Sequence, residues 1–382
     1  MPAASFIQDF SDKIGFLPFA DYTWLANELN DSVFFASRFS EKHLQYAPSV
    51  ASFFAGCGGL DLGFQWAGYN VLYANERDSA ASCTYATNFR HGIQNKPIEE
   101  VDIDAMPDHD CLIGGFPCQP FSHAGKRGGL ADARGTLFYY LALCLKAKKP
   151  KVFLFENVKG LLTHEQGRTL HYIRNILKEQ GYNVSYALLN AKNFYVPQER
   201  ERLFLAGVRS DAAPGKYIEF PEGFRTNISV KSAINDLVGR SDVPNNEPMR
   251  HSSRVRERYK HIPEGGSLRD APEEHQQRRR GAPLQISGKL STQSYRRMNG
   301  SKPSPTICAM FQAHFIHYSE DRNLTAREAA RIQTFPDDFV FCGKRVNMSW
   351  DTELSQYQQI GNAVPPKVGY ALARTIYTQC FA

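Results

Sequence analysis

Between residues 50 and 208, short apolar runs alternate with glycine- or proline-broken loops and amphipathic stretches, and this alternation restricts the fold more than any other feature. Ser52-Phe53-Phe54-Ala55, Asn70-Val71-Leu72-Tyr73-Ala74, Cys111-Leu112-Ile113 and Lys151-Val152-Phe153-Leu154-Phe155 each read as a buried strand. Val184 to Leu189 and Leu203 to Val208 add two more. Helical patterns lie between them. Thr136 to Lys149 has apolar residues at 137, 140, 141, 144 and 145, lysines in its last turn and Pro150 beyond. Leu170, Ile173, Ile176 and Leu177 mark another helix, ended by Gly181. Strands and helices in this alternation imply an α/β fold, a doubly wound Rossmann-like sheet.

In an open sheet of this kind ligands gather beyond the carboxyl ends of the strands, so the residues there carry the functional argument. Gly56-Cys57-Gly58-Gly59-Leu60-Asp61-Leu62-Gly63 follows the first strand, and glycines at a strand-to-helix turn let the backbone approach a ligand closely. Glu76 ends the second strand, where nucleotide-binding units place a carboxylate against a ribose hydroxyl. The G-x-G-G spacing departs from the G-x-G-x-x-G dinucleotide fingerprint, which favours an adenosine-containing cofactor other than NAD. Cys118 sits just past the third strand, flanked by Gln119 and Ser122, in the position of a nucleophile. For a single cysteine the ordinary reading is a buried packing thiol. Here Glu156-Asn157-Val158 ends the neighbouring strand and brings a carboxylate beside it.

Composition narrows the class. Eight cysteines (57, 83, 111, 118, 144, 308, 342 and 380) contain no C-x-x-C pair, so neither a metal site nor a disulfide framework is expected. No 18-residue apolar run occurs, and Met1 to Phe10 lacks a basic start and an apolar core. The expectation is therefore no membrane association and a cytoplasmic protein. The net charge is +6, and residues 251 to 300 alone hold eleven Lys/Arg against five Asp/Glu. That segment carries the whole excess, as a nucleic-acid-binding face does, although a charge run seen alone is more often a solvated surface.

Four regions follow. Residues 1–48 form an N-terminal helical arm, with Trp24, Leu25, Leu29, Val33 and Phe34 at helical spacing. Residues 49–230 form a catalytic and cofactor-binding domain, and 231–345, where Pro, Gly, Arg and His rise, a smaller domain. Residues 346–382 return to the catalytic domain, with Gln359 to Pro366 leading into an amphipathic helix to about Tyr377. Within the third region Thr325 and Glu328 form a capping box at a helix start.

Taken together, Phe54-x-Gly56-x-Gly58-Gly59, Pro117-Cys118-Gln119, Glu156-Asn157-Val158, Gln198-x-Arg200-x-Arg202, Arg327-Glu328-Ala329-Ala330-Arg331-Ile332-Gln333 and Gly361-Asn362-Ala363-Val364 resemble the motif set of the cytosine-5 DNA methyltransferases, in that family's order. The match runs from about residue 50 to 378. The resemblance implies an S-adenosylmethionine-dependent methyltransferase sheet with a second, smaller DNA-recognition domain. It also implies a bacterial, nucleoid-associated modification enzyme acting as a monomer on double-stranded DNA, with a possible cognate restriction endonuclease. By the same resemblance Cys118 adds to carbon 6 of a flipped-out cytosine, Glu156 offsets charge at ring nitrogen 3, and Arg202 and Arg200 orient that carboxylate and the base. Phe54, Gly56, Gly58, Gly59, Leu60, Glu76, Arg77, Asp102, Ile103, Pro117, Asn362 and Ala363 would hold the methyl donor. Plainer readings exist for Phe54 as core, Asp102 as a solvated loop acid and Asn362 as a helix cap. Gln119, Ser122, Lys126, Arg127, Gln293, Arg296, Arg297 and Thr306 would meet DNA, with Ser122 to Gly129 as a closing loop. No residue stands out as the base that removes the carbon 5 proton. Two other readings are an RNA methyltransferase acting on tRNA cytosine and a catalytically silent DNA-binding module. The long basic insert speaks against the first and the intact Cys118, Glu156 and Arg202 against the second.

Overall fold

The computed structural model describes residues 46–117, 136–223, 227–275, 278–279, 282–283, 295–309, 315–347 and 350–382. The helices expected in the N-terminal arm lie outside the described residues, as do Cys118, Gln119, Ser122, Lys126, Arg127 and Gln293.

Seven strands form one sheet: β1 (Ser49–Phe53), β2 (Asn70–Glu76), β3 (Gln94–Asn95), β4 (Cys111–Gly115), β5 (Val152–Val158), β6 (Tyr182–Asn190) and β7 (Glu201–Arg209), in the order β3-β2-β1-β4-β5-β7-β6. The pairs joining β3 through β5 are parallel, and β7 runs antiparallel to both β5 and β6. Direction is invisible in an apolar run, so the sequence gives no sign of the reversal in β7. Residues at period two divide between the faces. Val152 and Leu154 of β5 pack with Phe64 and Leu372 on one side, while Phe153 and Phe155 pack with Leu141 and Ile173 on the other. Each such buried side chain contributes about 1.5–3 kcal/mol over its exposed state.

The helices on these faces are α1 (Gly59–Trp66), α2 (Ser79–Asn88), α3 (Leu137–Lys148) and α4 (Arg168–Glu179). Beyond the sheet come α5 (Val230–Ile234), α6 (Ser253–Lys260), α7 (Ala326–Ile332), α8 (Gln356–Asn362) and α9 (Pro366–Cys380). Helix α7 begins on the expected capping box, with Thr325 and Glu328 each bonding the other's backbone N–H. Helix α9 lies directly on α1 because both carry glycine at the crossing. A methyl group on Gly63 would stand 2.5 Å from the Tyr370 nitrogen, and one on Gly369 3.0 Å from the Leu60 carbonyl. This crossing carries the C-terminal segment back to the glycine turn.

The boundary drawn at residue 231 does not separate two cores. Val230, Ala233, Ile234, Leu237, Met298, Phe335, Phe339 and Tyr357 share one apolar cluster with Tyr85 and Phe89 of α2. Tyr259, Ile262, Leu268, Ala271 and Ile316 form a smaller cluster of their own.

Candidate active site

The carboxyl ends of β4 and β5 meet at one point. Register pairs Gly115 with Glu156, and the absence of a side chain on Gly115 leaves room for that carboxylate: a methyl there would lie 3.2 Å from Glu156 Oε2. Glu156 faces Arg202 from the antiparallel neighbour β7, whose Nε stands 3.0 Å from Oε1. Both side chains are largely buried, so the pair is held by geometry that solvent does not loosen. Burial pushes the Glu156 carboxyl up from its ordinary value, and Arg202 and then Arg200 pull it back. Such a group can hold a proton and still bond through it. Asn157 donates its side-chain amide to the Phe116 carbonyl at 2.9 Å. It thereby pins the chain two residues before Cys118. Pro117 is exposed at the end of the described segment.

On the other side of β4, the turn after its parallel neighbour β1 is built for a backbone approach. Phe54 has φ +54° and Gly56 φ +57°, both left-handed, and the space where a Gly56 side chain would stand is empty. Gly58, at φ +92°, lies against the Tyr85 and Phe89 rings, where a methyl would be 3.0 Å from the first. Gly59 lies against the Val364 carbonyl and Ala363. Glu76 closes the turn from β2: Oε2 accepts from Gly56 N at 2.9 Å and Oε1 from Asp78 N at 2.8 Å. Burial raises its carboxyl and these N–H groups lower it. Leu60 is buried, Ile103 and Ala363 are half-buried, and Arg77, Asp102 and Asn362 are exposed. Asp102 Oδ1 accepts from Asp104 N and Ala105 N, which is a local turn.

Arg200 does something the sequence did not indicate. It is 1% exposed, and it donates to the Ile307 carbonyl at 2.7 Å and the Gly361 carbonyl at 3.0 Å. Gln198 beside it is fully buried, donating to Gln333 and accepting from Ile307 N. Thr306 donates its hydroxyl to the Glu199 carbonyl at 2.7 Å. The Gln-x-Arg-x-Arg stretch is thus two struts followed by the arginine that pairs with Glu156. The signal available was its position in a polar loop bordered by apolar runs, a place where buried donors need partners.

Arg297 departs from its expected DNA contact. It is 6% exposed, and its guanidinium donates to the Ile262, His317, Glu320 and Tyr259 carbonyls and to Asp321 Oδ1. An arginine has five N–H donors, and these bonds use all of its capacity inside the protein. Arg296, on the same two-residue strand, is half-buried.

A mixed sheet with one reversed strand, a glycine turn closed by a strand-end carboxylate and a second carboxylate paired with arginine defines the class of an α/β methyltransferase. The family description "C-5 cytosine-specific DNA methylase" matches residues 49–378. The chain is 39% identical over 372 residues to type II methyltransferase M.DdeI of Desulfomicrobium norvegicum, covering 86% of this chain and 88% of that one. It is 40% identical over 336 residues to type II methyltransferase M.Eco47II of Escherichia coli, covering 86% and 78%. In fold it is similar to a DNA modification methyltransferase encoded within an E. coli prophage, with a TM-score of 0.65 at 22% identity, covering 87% and 99%. The chain belongs to the C-5 cytosine-specific DNA methylase family. It is a DNA (cytosine-5-)-methyltransferase, and its methyl donor is S-adenosylmethionine. The turn fits that donor: an open, left-handed glycine edge lies within hydrogen-bond reach of a carboxylate.

Among the described residues no helix is long and apolar enough to cross a membrane.

Proposed function

We propose that the protein methylates carbon 5 of a cytosine flipped out of a specific duplex sequence, through a covalent bond to Cys118. The buried Glu156–Arg202 pair at the strand ends beside the Asn157-pinned approach to Cys118 carries this reading. Carbon 5 is a weak nucleophile until a thiolate adds to carbon 6 and turns the ring into an enamine. Glu156, held up by burial, would supply the hydrogen bond or proton at ring nitrogen 3 as negative charge develops there. Arg202 holds that carboxyl in place and offers its remaining N–H groups to the base carbonyl. Arg200 acts behind it, its charge reaching Glu156 while its hydrogen bonds tie the site to Ile307 and Gly361. After methyl transfer the carbon 5 proton leaves and the thiolate is eliminated, restoring the aromatic ring.

S-adenosylmethionine, when bound, supplies an electrophilic methyl group on a sulfonium. The residues that would hold it are Phe54, Gly56, Gly58, Gly59 and Leu60 on the turn, with Glu76, Arg77, Asp102, Ile103 and Pro117 at neighbouring strand ends and Asn362 and Ala363 from the C-terminal return. Since a stacked cytosine cannot reach Cys118, the base must leave the duplex. Residues 231–345 would read the target, with Arg296 and the basic stretch around it on the DNA and Lys126 and Arg127 on phosphates beside the site. The type II relatives support a modification role; in this reading the protein acts as a monomer alongside an endonuclease of the same specificity.

The test is methyl transfer to duplex DNA and to tRNA in parallel, followed by bisulfite sequencing of DNA from cells expressing the protein. One protected sequence context in DNA, with no transfer to tRNA, is the expected result. Transfer to tRNA alone would refute the reading.

A further inference from the structure

The glycine turn carries a carboxylate with no part in the chemistry above. Asp61, in the first turn of α1, is 1% exposed. It accepts from Ser52 Oγ at 3.0 Å and from Tyr85 Oη at 2.8 Å. Tyr85 Oη also lies 2.8 Å from His91 Nε2, and because the phenol gives its proton to Asp61, the imidazole is the donor there. The Tyr85 ring stacks on Phe89 at 4.2 Å between centroids, and both rings lie against Gly58. Carboxylate, phenol and donor-binding turn are therefore one packed unit.

Among the described residues Asp61 has no cationic neighbour. Burial pushes its carboxyl up to about 6, opposed by Tyr85, Ser52 and a backbone N–H. The groups around it are Ser52 on β1, Tyr85 on α2, which links it to His91, and Cys57 at the turn, which Glu76 also acts on. Cys57 is a neutral thiol, pushed up to about 12, and it donates to the Gln359 carbonyl of α8. Among the described residues no lysine or arginine acts on Asp61. A buried ionised carboxylate without a counter-charge is costly, and a positive ligand at the adjoining turn offsets that cost. The donor is a sulfonium cation, whereas S-adenosylhomocysteine, its product, is neutral at sulfur.

We propose that Asp61 is a buried counter-charge for the sulfonium and lets the enzyme tell the charged donor from its neutral product. Tyr85 is a positioning residue that acts through Asp61. A cation drawn to the ionised carboxylate lowers its proton affinity, so by linkage protonation weakens the preference. Discrimination is present above the titration of Asp61 and is lost as the pH falls through it. Glu76 does not account for such a difference, since a ribose is common to both ligands.

The experiment is calorimetric titration of the full chain with S-adenosylmethionine and with S-adenosylhomocysteine from pH 5 to 8. The quantity read is the ratio of product Kd to donor Kd. In Asp61→Asn this ratio should fall about three- to tenfold at pH 7.5, the scale of one charge pair at an intermediate effective dielectric. In the wild type it should fall by a similar factor as the pH drops through about 6. Tyr85→Phe removes a hydrogen bond to the ionised form, so the midpoint should move to higher pH. If Asp61→Asn does not fold, the wild-type profile and the Tyr85→Phe midpoint decide. A ratio that is independent of pH in the wild type overturns the proposal. So does a ratio unchanged in Asp61→Asn, including a parallel loss of both ligands. A pH dependence that persists in Asp61→Asn assigns the effect to another titrating group, His91 or Glu76, and overturns it too.

Discussion

Glu156 and Glu76 are both strand-end carboxylates, and their partners divide their work. Glu156 is paired with a guanidinium and raised by burial, which suits a group that must hold a proton against a base. Among the described residues the Glu76 carboxylate bonds backbone N–H groups of the turn and the start of the next helix, which suits an acceptor for hydroxyls. Glu76→Ala should weaken donor binding by about 1.5–3 kcal/mol, the size of a hydrogen bond to a charged group, read by calorimetry. Unchanged affinity would place the donor elsewhere. His317 gives a prediction about stability. It is fully buried, and burial brings it down to about 4, with Glu328 Oε1 at 3.6 Å. The unfolded chain then binds this proton more readily, so the contribution of His317 is complete above about 6.5 and is lost as the pH falls toward 4. Urea unfolding at pH 7 and pH 5 should show a smaller loss for His317→Gln than for the wild type.

At the scale of elements, the strands and the long helices were legible because apolar periodicity and capping residues are local signals. The Leu137–Lys148 and Arg168–Glu179 helices and the Thr325 cap fall where spacing, lysines and glycine put them. Partnership between distant segments was not legible. Nothing in Gln198-x-Arg200 shows that these side chains end on residues 307, 333 and 361, because that depends on how two remote loops cross. For the same reason Arg296 and Arg297 look alike in the sequence and differ in the fold. Arg297→Ala should destabilise the protein by about 3 kcal/mol, since it strands Asp321 and several buried carbonyls. Arg296→Ala should leave stability within about 0.5 kcal/mol and cost about 1–3 kcal/mol on the cognate duplex. Denaturant melts and binding curves on cognate and scrambled duplexes separate the two outcomes; equal destabilisation would remove Arg296 from the DNA face.

Across the whole molecule, one sheet brings the proposed site together. The glycine turn stands at β1 and β2, the Glu156–Arg202 pair at β5 and β7, and β4, which leads to Cys118, lies between β1 and β5. Residues of the 231–345 region share a core with α2, so under the proposed reading DNA contacts made there would act on the same body that holds the donor. The shared core was hidden from the sequence, since the segments that build it, near Tyr85, Val230 and Phe335, lie more than 100 residues apart. Arg278, Arg279 and Arg280, as phosphate contacts, should each flatten the slope of log affinity against log salt by about 0.9 when neutralised, with specificity unchanged. A change of specificity at constant slope would reverse that assignment. The covalent step is the centre of the account. Its direct measurement uses a duplex carrying 5-fluorocytosine at the methylated position, incubated with the protein and S-adenosylmethionine. Because fluorine cannot leave as a proton does, a denaturation-resistant adduct should accumulate and map to Cys118, and Cys118→Ala should form none. Methyl transfer with no trapped adduct, or Cys118→Ala turnover above about a hundredth of wild type, would contradict nucleophilic catalysis by this thiol.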